Sequence, residues 1–303
     1  MTQPQSYIAT LIAAPGGLSL ATLAAACAAL PGAGSPHWLS QSAAADIPFS
    51  AKPGADQRAL GDSLRSHLAG VDVVIQPADH RRKRLFLADM DSTMIGQECI
   101  DELAAFVGLK GHVAAITERA MRGEIEFEPA LRERVALLKG LPISVIDEVI
   151  AKYITLTPGA RTLIATMRAN GVHSCLVSGG FTLFTDRIAA MIGFDEARAN
   201  RLVVDGNILA GLVQEPIFGR ETKRSTLLEL RTRLGLSPEQ TMAVGDGAND
   251  LAMIEEAGLG IAYHAKPKVA AAAAARVEHC DLTALLYAQG YKREEFVENL
   301  PPP

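Results

Sequence analysis

Leu85-Phe86-Leu87-Ala88-Asp89-Met90-Asp91-Ser92-Thr93 is an unbroken apolar run that ends in two carboxylates at i and i+2. An apolar run of this length, free of alternation, predicts a strand covered on both faces, the kind found inside a parallel sheet. Placing Asp-x-Asp at its end is costly unless something binds the charge. In open parallel sheets the ligand crevice lies just beyond the carboxyl ends of the strands, so both carboxylates are expected at its mouth.

Further runs of the same kind follow. Ser174 to Val177, Thr241 to Val244 and Leu259 to Ala262 are short, apolar and separated by long helical stretches. This alternation predicts a doubly wound, Rossmann-like α/β sheet with helices on both faces. Between the first two strands lies an insertion of about residues 96–153, rich in Glu, Arg, Lys and Leu at helical spacing, which reads as an inserted helical cap. Ala270 to Ala275 reads as helix, and Pro301 to Pro303 as a frayed tail.

Residues 1–80 form a different pattern. Tyr7 to Ala13, runs around Trp38 and Ile47, and Val71 to Ile75 are strand-like, while Leu18 to Leu30 and Ala55 to Leu68 are helical. The order β-α-β-β-α-β is that of a small ferredoxin-like or ACT-like α+β unit. A degenerate regulatory or dimerisation module, which would make a homodimer, and a structural cap over the second domain are its two readings. His80-Arg81-Arg82-Lys83-Arg84 reads as a solvated linker, leaving residues 81–303 for the catalytic unit.

Composition sets outer limits. The 303 residues are 49% hydrophobic, with 29 Lys+Arg against 34 Asp+Glu and a net charge of −5. Such a chain buries a real core and offers no basic field for nucleic acid. The early apolar stretch is too short to span a bilayer, and no basic n-region precedes it, so neither membrane nor secretion is expected. Cys27, Cys99, Cys175 and Cys280 are scattered, which fits reduced thiols in the cytoplasm.

The chemistry-bearing residues extend the opening motif. Gly245-Asp246-Gly247-Ala248-Asn249-Asp250 follows another strand and adds two carboxylates and an amide. Together the two strand ends form an oxygen-rich pocket for a hard divalent ion, Mg²⁺ above all. Ser178-Gly179-Gly180 puts a hydroxyl and unhindered backbone amides at a third strand end, suited to phosphoryl oxygens. Lys223, at the start of a helical stretch, can neutralise a phosphate, although alone it reads as an ordinary surface lysine. There is no GxxxxGK[ST] and no GxGxxG after the first strand, so neither a P-loop nor a dinucleotide site is supported.

In this order the motifs resemble the haloacid dehalogenase (HAD) superfamily of phosphotransferases. More narrowly, residues from about 85 to 290 resemble the phosphoserine phosphatase family. That likeness rests on Asp89 to Glu98, on Phe127 and Arg134 within Glu126 to Lys139, on Val177-Ser-Gly-Gly-Phe181, and on Ala199-Asn-Arg-Leu202.

The resemblance implies a Mg²⁺-dependent hydrolysis of O-phospho-L-serine, the last step of serine biosynthesis. Asp89 would be the nucleophile and Asp91 the general acid and base, with Ser178 and Lys223 completing the catalytic set. The metal would be held by Asp89, the Asp91 carbonyl and Asp246, with Asn249 and Asp250 orienting the shell. Glu98 would face the substrate ammonium and Arg134 its carboxylate; Met121 and Phe127 would pack over the site. Ser178, Gly179, Gly180 and Asn249 would contact substrate. Phosphoryl transfer to another alcohol such as homoserine, or a non-catalytic phospho-amino-acid sensor, are the alternatives.

Overall fold

The computed structural model describes residues 5–52 and 54–298. The first sheet runs β1 (Gln5–Ala13), α1 (Leu20–Ala29), β2 (His37–Ser40), β3 (Ala44–Ala51), α2 (Gln57–Arg65) and β4 (Val71–Pro77). Its antiparallel order is β2-β3-β1-β4, the ferredoxin-like arrangement. Tyr7, Ala9 and Leu11 face the two helices. The opposite side of the sheet, with Ile12, Leu39, Ala44 and Val74, joins the main core beside Tyr287 and Tyr291.

The main sheet begins with β5 (Leu85–Ala88). After the cap helices α3 (Cys99–Ala105), α4 (Lys110–Met121), α5 (Phe127–Ala136) and α6 (Val145–Tyr153), the chain returns through α7 (Ala160–Ala169) to β6 (His173–Phe181). Then come α8 (Thr182–Ile192), β7 (Glu196–Asn200), the hairpin β8 (Leu202–Asp205) and β9 (Ile208–Val213), α9 (Arg220–Arg233), β10 (Thr241–Gly245) and α10 (Leu251–Glu256). The chain closes with β11 (Leu259–Tyr263), α11 (Pro267–Ala272), β12 (Ala275–Val277) and α12 (Ala284–Ala288). The parallel order is β12-β11-β10-β5-β6-β7, so β5 lies centrally and the winding direction reverses beside it.

The apolar run of β5 explains its position. Phe86 and Ala88 join one core layer, while Leu85 and Leu87 join another with Leu227 and Leu230 of α9 and Met253 of α10. All four are completely buried, because each pleat face meets helices rather than water. The cap leaves and re-enters beside this strand: Ile95 pairs with Leu156, and Thr157 N–H donates to Met94 O at 3.0 Å.

The structure departs from the sequence reading in three places. α11 ends at Ala272 and Ala275 opens β12, because parallel pairing with β11 overrides the helix preference of alanine. β7 was not anticipated; it is an edge strand whose Glu196 and Arg198 give it the look of a surface segment. The basic run 80–84 is only in part a solvated linker: His80, Arg82 and Arg84 are exposed, whereas Arg81 and Lys83 are not. Lys83 is buried and donates to the backbone oxygens of His80 and Glu239, and Arg81 is paired with Asp46 at 2.8 Å. The Pro-rich tail, 301–303, lies outside the described residues.

Candidate active site

Asp89 stands where β5 gives out. Its N–H still completes the ladder, donating to Val244 O at 3.0 Å, and the chain then turns through Met90–Met94, where Ile95 N–H closes on Met90 O. Ser92 in this turn has φ +56°, a left-handed conformation uncommon outside glycine. Its hydroxyl donates to Glu98 Oε1 at 2.6 Å. The turn therefore carries two carboxylates and fixes a third.

Lys223 is completely buried and bridges two strand ends. Its Nζ lies 2.5 Å from Asp89 Oδ1 and 2.7 Å from Asp250 Oδ1. Burial opposes its charge, but Asp250 and Asp89 outweigh that and hold the ammonium above the ordinary lysine range. Gly245 makes room for this cluster, since a Cβ there would fall 2.4 Å from Asp250 Cγ. Asp250 also accepts the Gly247 N–H at 3.1 Å.

Burial raises Asp246 to about 7, with Asp250 adding to the effect. Burial likewise raises Asp89, helped by Asp250 and opposed by Lys223. Asp89, Asp246 and Asp250 each bring a carboxylate oxygen within 4.8 Å of the others. Fully ionised, these three carboxylates against one ammonium would leave two negative charges in a desolvated pocket. A divalent, oxygen-loving cation fits that deficit, and the buried Asn249 Oδ1, which has no hydrogen-bond partner among the described residues, is a further oxygen of the same loop as Asp246 and Asp250.

Asp91 is held differently. Its Oδ1 accepts the Cys99 N–H at 2.9 Å, and its Oδ2 accepts the Ser178 hydroxyl at 3.3 Å. Burial nevertheless raises its pKa. Ser178 is itself completely buried, and its Oγ also accepts the Gly180 N–H at 2.8 Å.

These groups open onto a cavity of about 420 Å³ whose wall includes Asp89, Asp91, Glu98, Phe127, Arg134 and Asn249, together with Gly179 and Gly180. Ser178, Lys223 and Asp246 lie outside that wall, buried behind it. Phe127 rests on Gly179, where a Cβ would come within 2.9 Å of the ring. Burial raises Glu98 well above the usual carboxyl range, with Asp91 and Asp246 adding to it. Arg134 is 4% exposed and makes no ion pair among the described residues. The Met121 side chain lies outside the described residues.

Arg220 and Lys268 also line the cavity and were not singled out from sequence. Arg220 lies three residues before Lys223 on α9, so a helical projection would have put both on one face. Lys268 had no comparable signal. Asn200 was noted only as part of a motif. It clamps two loops, donating from Nδ2 to Gly179 O (2.8 Å) and Phe218 O (3.0 Å) and accepting the Phe218 N–H at Oδ1 (2.6 Å).

The central parallel sheet, the inserted helical cap and the carboxylates beyond β5 and β10 define a class. Residues 86–255 match the family model of haloacid dehalogenase-like hydrolases, and the chain belongs to that family. Within it the similarity runs to phosphoserine phosphatases. A protein of that name from Polaromonas sp. is 49% identical over 208 residues, 67% of this chain and 88% of the relative. A solved structure described as a phospho-aspartyl intermediate analogue of phosphoserine phosphatase matches with a TM-score of 0.65 at 41% identity, covering 68% of this chain and 98% of the other. A HAD family hydrolase from Salmonella enterica serovar Typhi superimposes with a TM-score of 0.81 at 30% identity, over 93% and 98% of the two chains. The chain is therefore an enzyme of the hydrolase class.

Proposed function

We propose that the protein is a Mg²⁺-dependent phosphomonoesterase that hydrolyses O-phospho-L-serine to L-serine and phosphate. One observation carries this reading: a single cavity joins the Asp89 and Asp91 carboxylates to a buried arginine, Arg134, that makes no direct ion pair among the described residues. A phosphomonoester that also bears an α-carboxylate and an ammonium complements such a wall, with Arg134 as a planar fork for the carboxylate and Glu98 for the ammonium. The names of the relatives support the same substrate.

Asp89 attacks phosphorus and the P–O bond to serine breaks, leaving an aspartyl-phosphate. Asp91, raised by burial, gives its proton to the departing oxygen. In the second half Asp91 takes a proton from water as that water attacks phosphorus, and Asp89 is released with inorganic phosphate. A Mg²⁺ ion held by Asp89, Asp246 and the Asp91 carbonyl, with Asn249 and Asp250 beside it, would supply the positive charge that offsets carboxylate–phosphate repulsion. Lys223 adds a fixed cation behind Asp89. Ser178 and the Gly179 N–H would hold the phosphoryl oxygens, with the Gly180 N–H fixing the Ser178 hydroxyl, and Phe127 helps exclude water.

This reading makes the reaction the last step of serine biosynthesis in a cytoplasmic enzyme, with the N-terminal unit as the candidate surface for a homodimer. Among the described residues no helix is long and apolar enough to cross a membrane, and the four cysteines are free. The test is release of phosphate from a panel of phosphomonoesters in Mg²⁺, with and without homoserine. Phosphoserine is expected to be preferred over phosphothreonine and sugar phosphates, with no dependence on homoserine. Equal use of all esters would overturn the substrate, and a homoserine requirement would replace hydrolysis by transfer.

A further inference from the structure

Three cap helices meet around one hydroxyl. Thr117 of α4 is 4% exposed; its Oγ1 accepts from Arg134 Nη1 of α5 at 2.8 Å and lies 2.7 Å from Asp101 Oδ1 of α3. The carbonyl of Val113 is a second neighbour at 3.0 Å. A threonine hydroxyl has one hydrogen, so while Arg134 donates to the oxygen, that hydrogen goes to a single acceptor. Asp101 is the shorter and the charged one, and its pull makes the oxygen a better acceptor for the guanidinium.

The arrangement differs from an ordinary arginine–carboxylate pair in what it leaves free. A direct, bidentate Asp101–Arg134 contact would use the fork and neutralise its charge. With a hydroxyl between them, Arg134 spends two of its five N–H donors on neutral oxygens, Ala130 O at 3.0 Å and Thr117 Oγ1. Its Nη2 has no protein acceptor among the described residues, and the arginine lines the cavity. The residue is thus aimed and immobilised without being satisfied.

We infer that Thr117 is a positioning residue for selectivity: by standing between Asp101 and Arg134 it keeps the guanidinium out of a direct ion pair and leaves Nη2 for a ligand, which makes the site discriminate phosphomonoesters that carry a carboxylate from those that do not. The inference rests on the proposed binding of the substrate carboxylate by Arg134 and goes beyond it by assigning the groups that set that arginine.

The test compares Thr117→Val, which keeps shape and removes the hydroxyl, with Thr117→Ser, which keeps the hydroxyl, and with Arg134→Ala. Each is assayed in Mg²⁺ on phosphoserine and on a small aryl phosphate without a carboxylate. Losing a hydrogen bond to a charged group corresponds to roughly ten-fold or more in binding. Thr117→Val should therefore lower the phosphoserine-to-aryl-phosphate ratio of kcat/KM by about ten-fold or more, with the change in KM rather than kcat. Thr117→Ser should restore most of the ratio. Equal loss on both esters, an unchanged ratio, or no rescue by serine would overturn the positioning role. If Arg134→Ala leaves the ratio unchanged, the carboxylate reading itself falls and takes this inference with it. A ratio that responds to Arg134→Ala but not to Thr117→Val rejects the inference alone.

Discussion

Replacing Lys223 by Met tests the electrostatic reasoning at its centre. The side chain is 0% exposed and holds Asp89 and Asp250 at 2.5 and 2.7 Å. Methionine matches its length, so the change removes charge more than volume. Removing one partner of a buried ion pair costs about 3–5 kcal/mol, because the other charge stays behind desolvated. At about 2–4 °C per kcal/mol for a domain of this size, the melting temperature should fall by about 6–20 °C. Turnover should fall at least about a hundred-fold, the usual effect of losing one preorganised group at a transferring centre. The deficit should also depend on pH. Asp89 is already raised by burial, and without the ammonium that lowers it Asp89 binds its proton still more tightly folded than unfolded, so stability is retained at low pH and lost as pH rises through its folded pKa. Melting followed by circular dichroism at pH 5 and pH 8, with phosphate release at saturating Mg²⁺, reads all three effects. A variant that melts like the parent, or whose deficit is the same at both pH values, would refute the view that Lys223 counterbalances the cluster.

Other outcomes follow from the same site. Asp89→Asn should cut turnover by about four orders of magnitude or more, while in chelator it melts no lower than the parent because it relieves a crowded acidic cluster; substantial residual phosphate release would remove Asp89 as nucleophile. In metal-free protein, Asp246, raised to about 7, binds its proton more tightly than the unfolded chain does, so the melting temperature in chelator should fall between pH 5 and pH 8. Mg²⁺ should abolish most of that slope; a flat or rising profile in chelator would contradict the assignment. Asn200→Ala strands the Phe218 N–H and the carbonyls of Gly179 and Phe218, and should cost about 1–3 kcal/mol together with a fall in kcat, read by melting and steady-state kinetics.

What was legible in the sequence was what is local. A run such as Leu85 to Ala88 can satisfy its burial only in a central strand, and Asp-x-Asp directly after it can go nowhere but the crevice. The same holds for Gly245 to Asp250, where glycine and carboxylate must be neighbours because a Cβ at Gly245 would collide with Asp250. Lys223 was only half legible: on sequence alone it is one more charged residue in a polar helix, and only the fold brings Asp89 and Asp250 to it. Thr117 and Asp101 gave no usable signal, and Asn200 appeared only within a motif with no role attached, since their partners lie 16 to 21 positions away on other elements. Arg81 and Lys83 misled for the opposite reason. A five-residue basic run looks solvated until the fold gives Arg81 the Asp46 carboxylate of the N-terminal sheet and Lys83 the carbonyls of His80 and Glu239.

The ion pair that links the cap to the Asp246 loop is cheap compared with those that hold the carboxylates, and that difference sets what its loss can do. Lys266 sits at the junction: its N–H donates to Asp246 O at 2.9 Å, and its Nζ pairs with Glu118 Oε2 of α4 at 3.1 Å. The two side chains are 33% and 41% exposed, so solvent screens the pair and its worth is about 0–1 kcal/mol. Glu118→Gln should therefore shift KM by about five-fold at most, leave the phosphoserine-to-aryl-phosphate ratio intact, and lose its effect in high salt. Lys223 and its carboxylates cost several times more to disturb. A loss beyond ten-fold with Glu118→Gln, or one insensitive to salt, would mean that Glu118 contacts the ligand itself, and its reading as a screened surface pair would have to be abandoned.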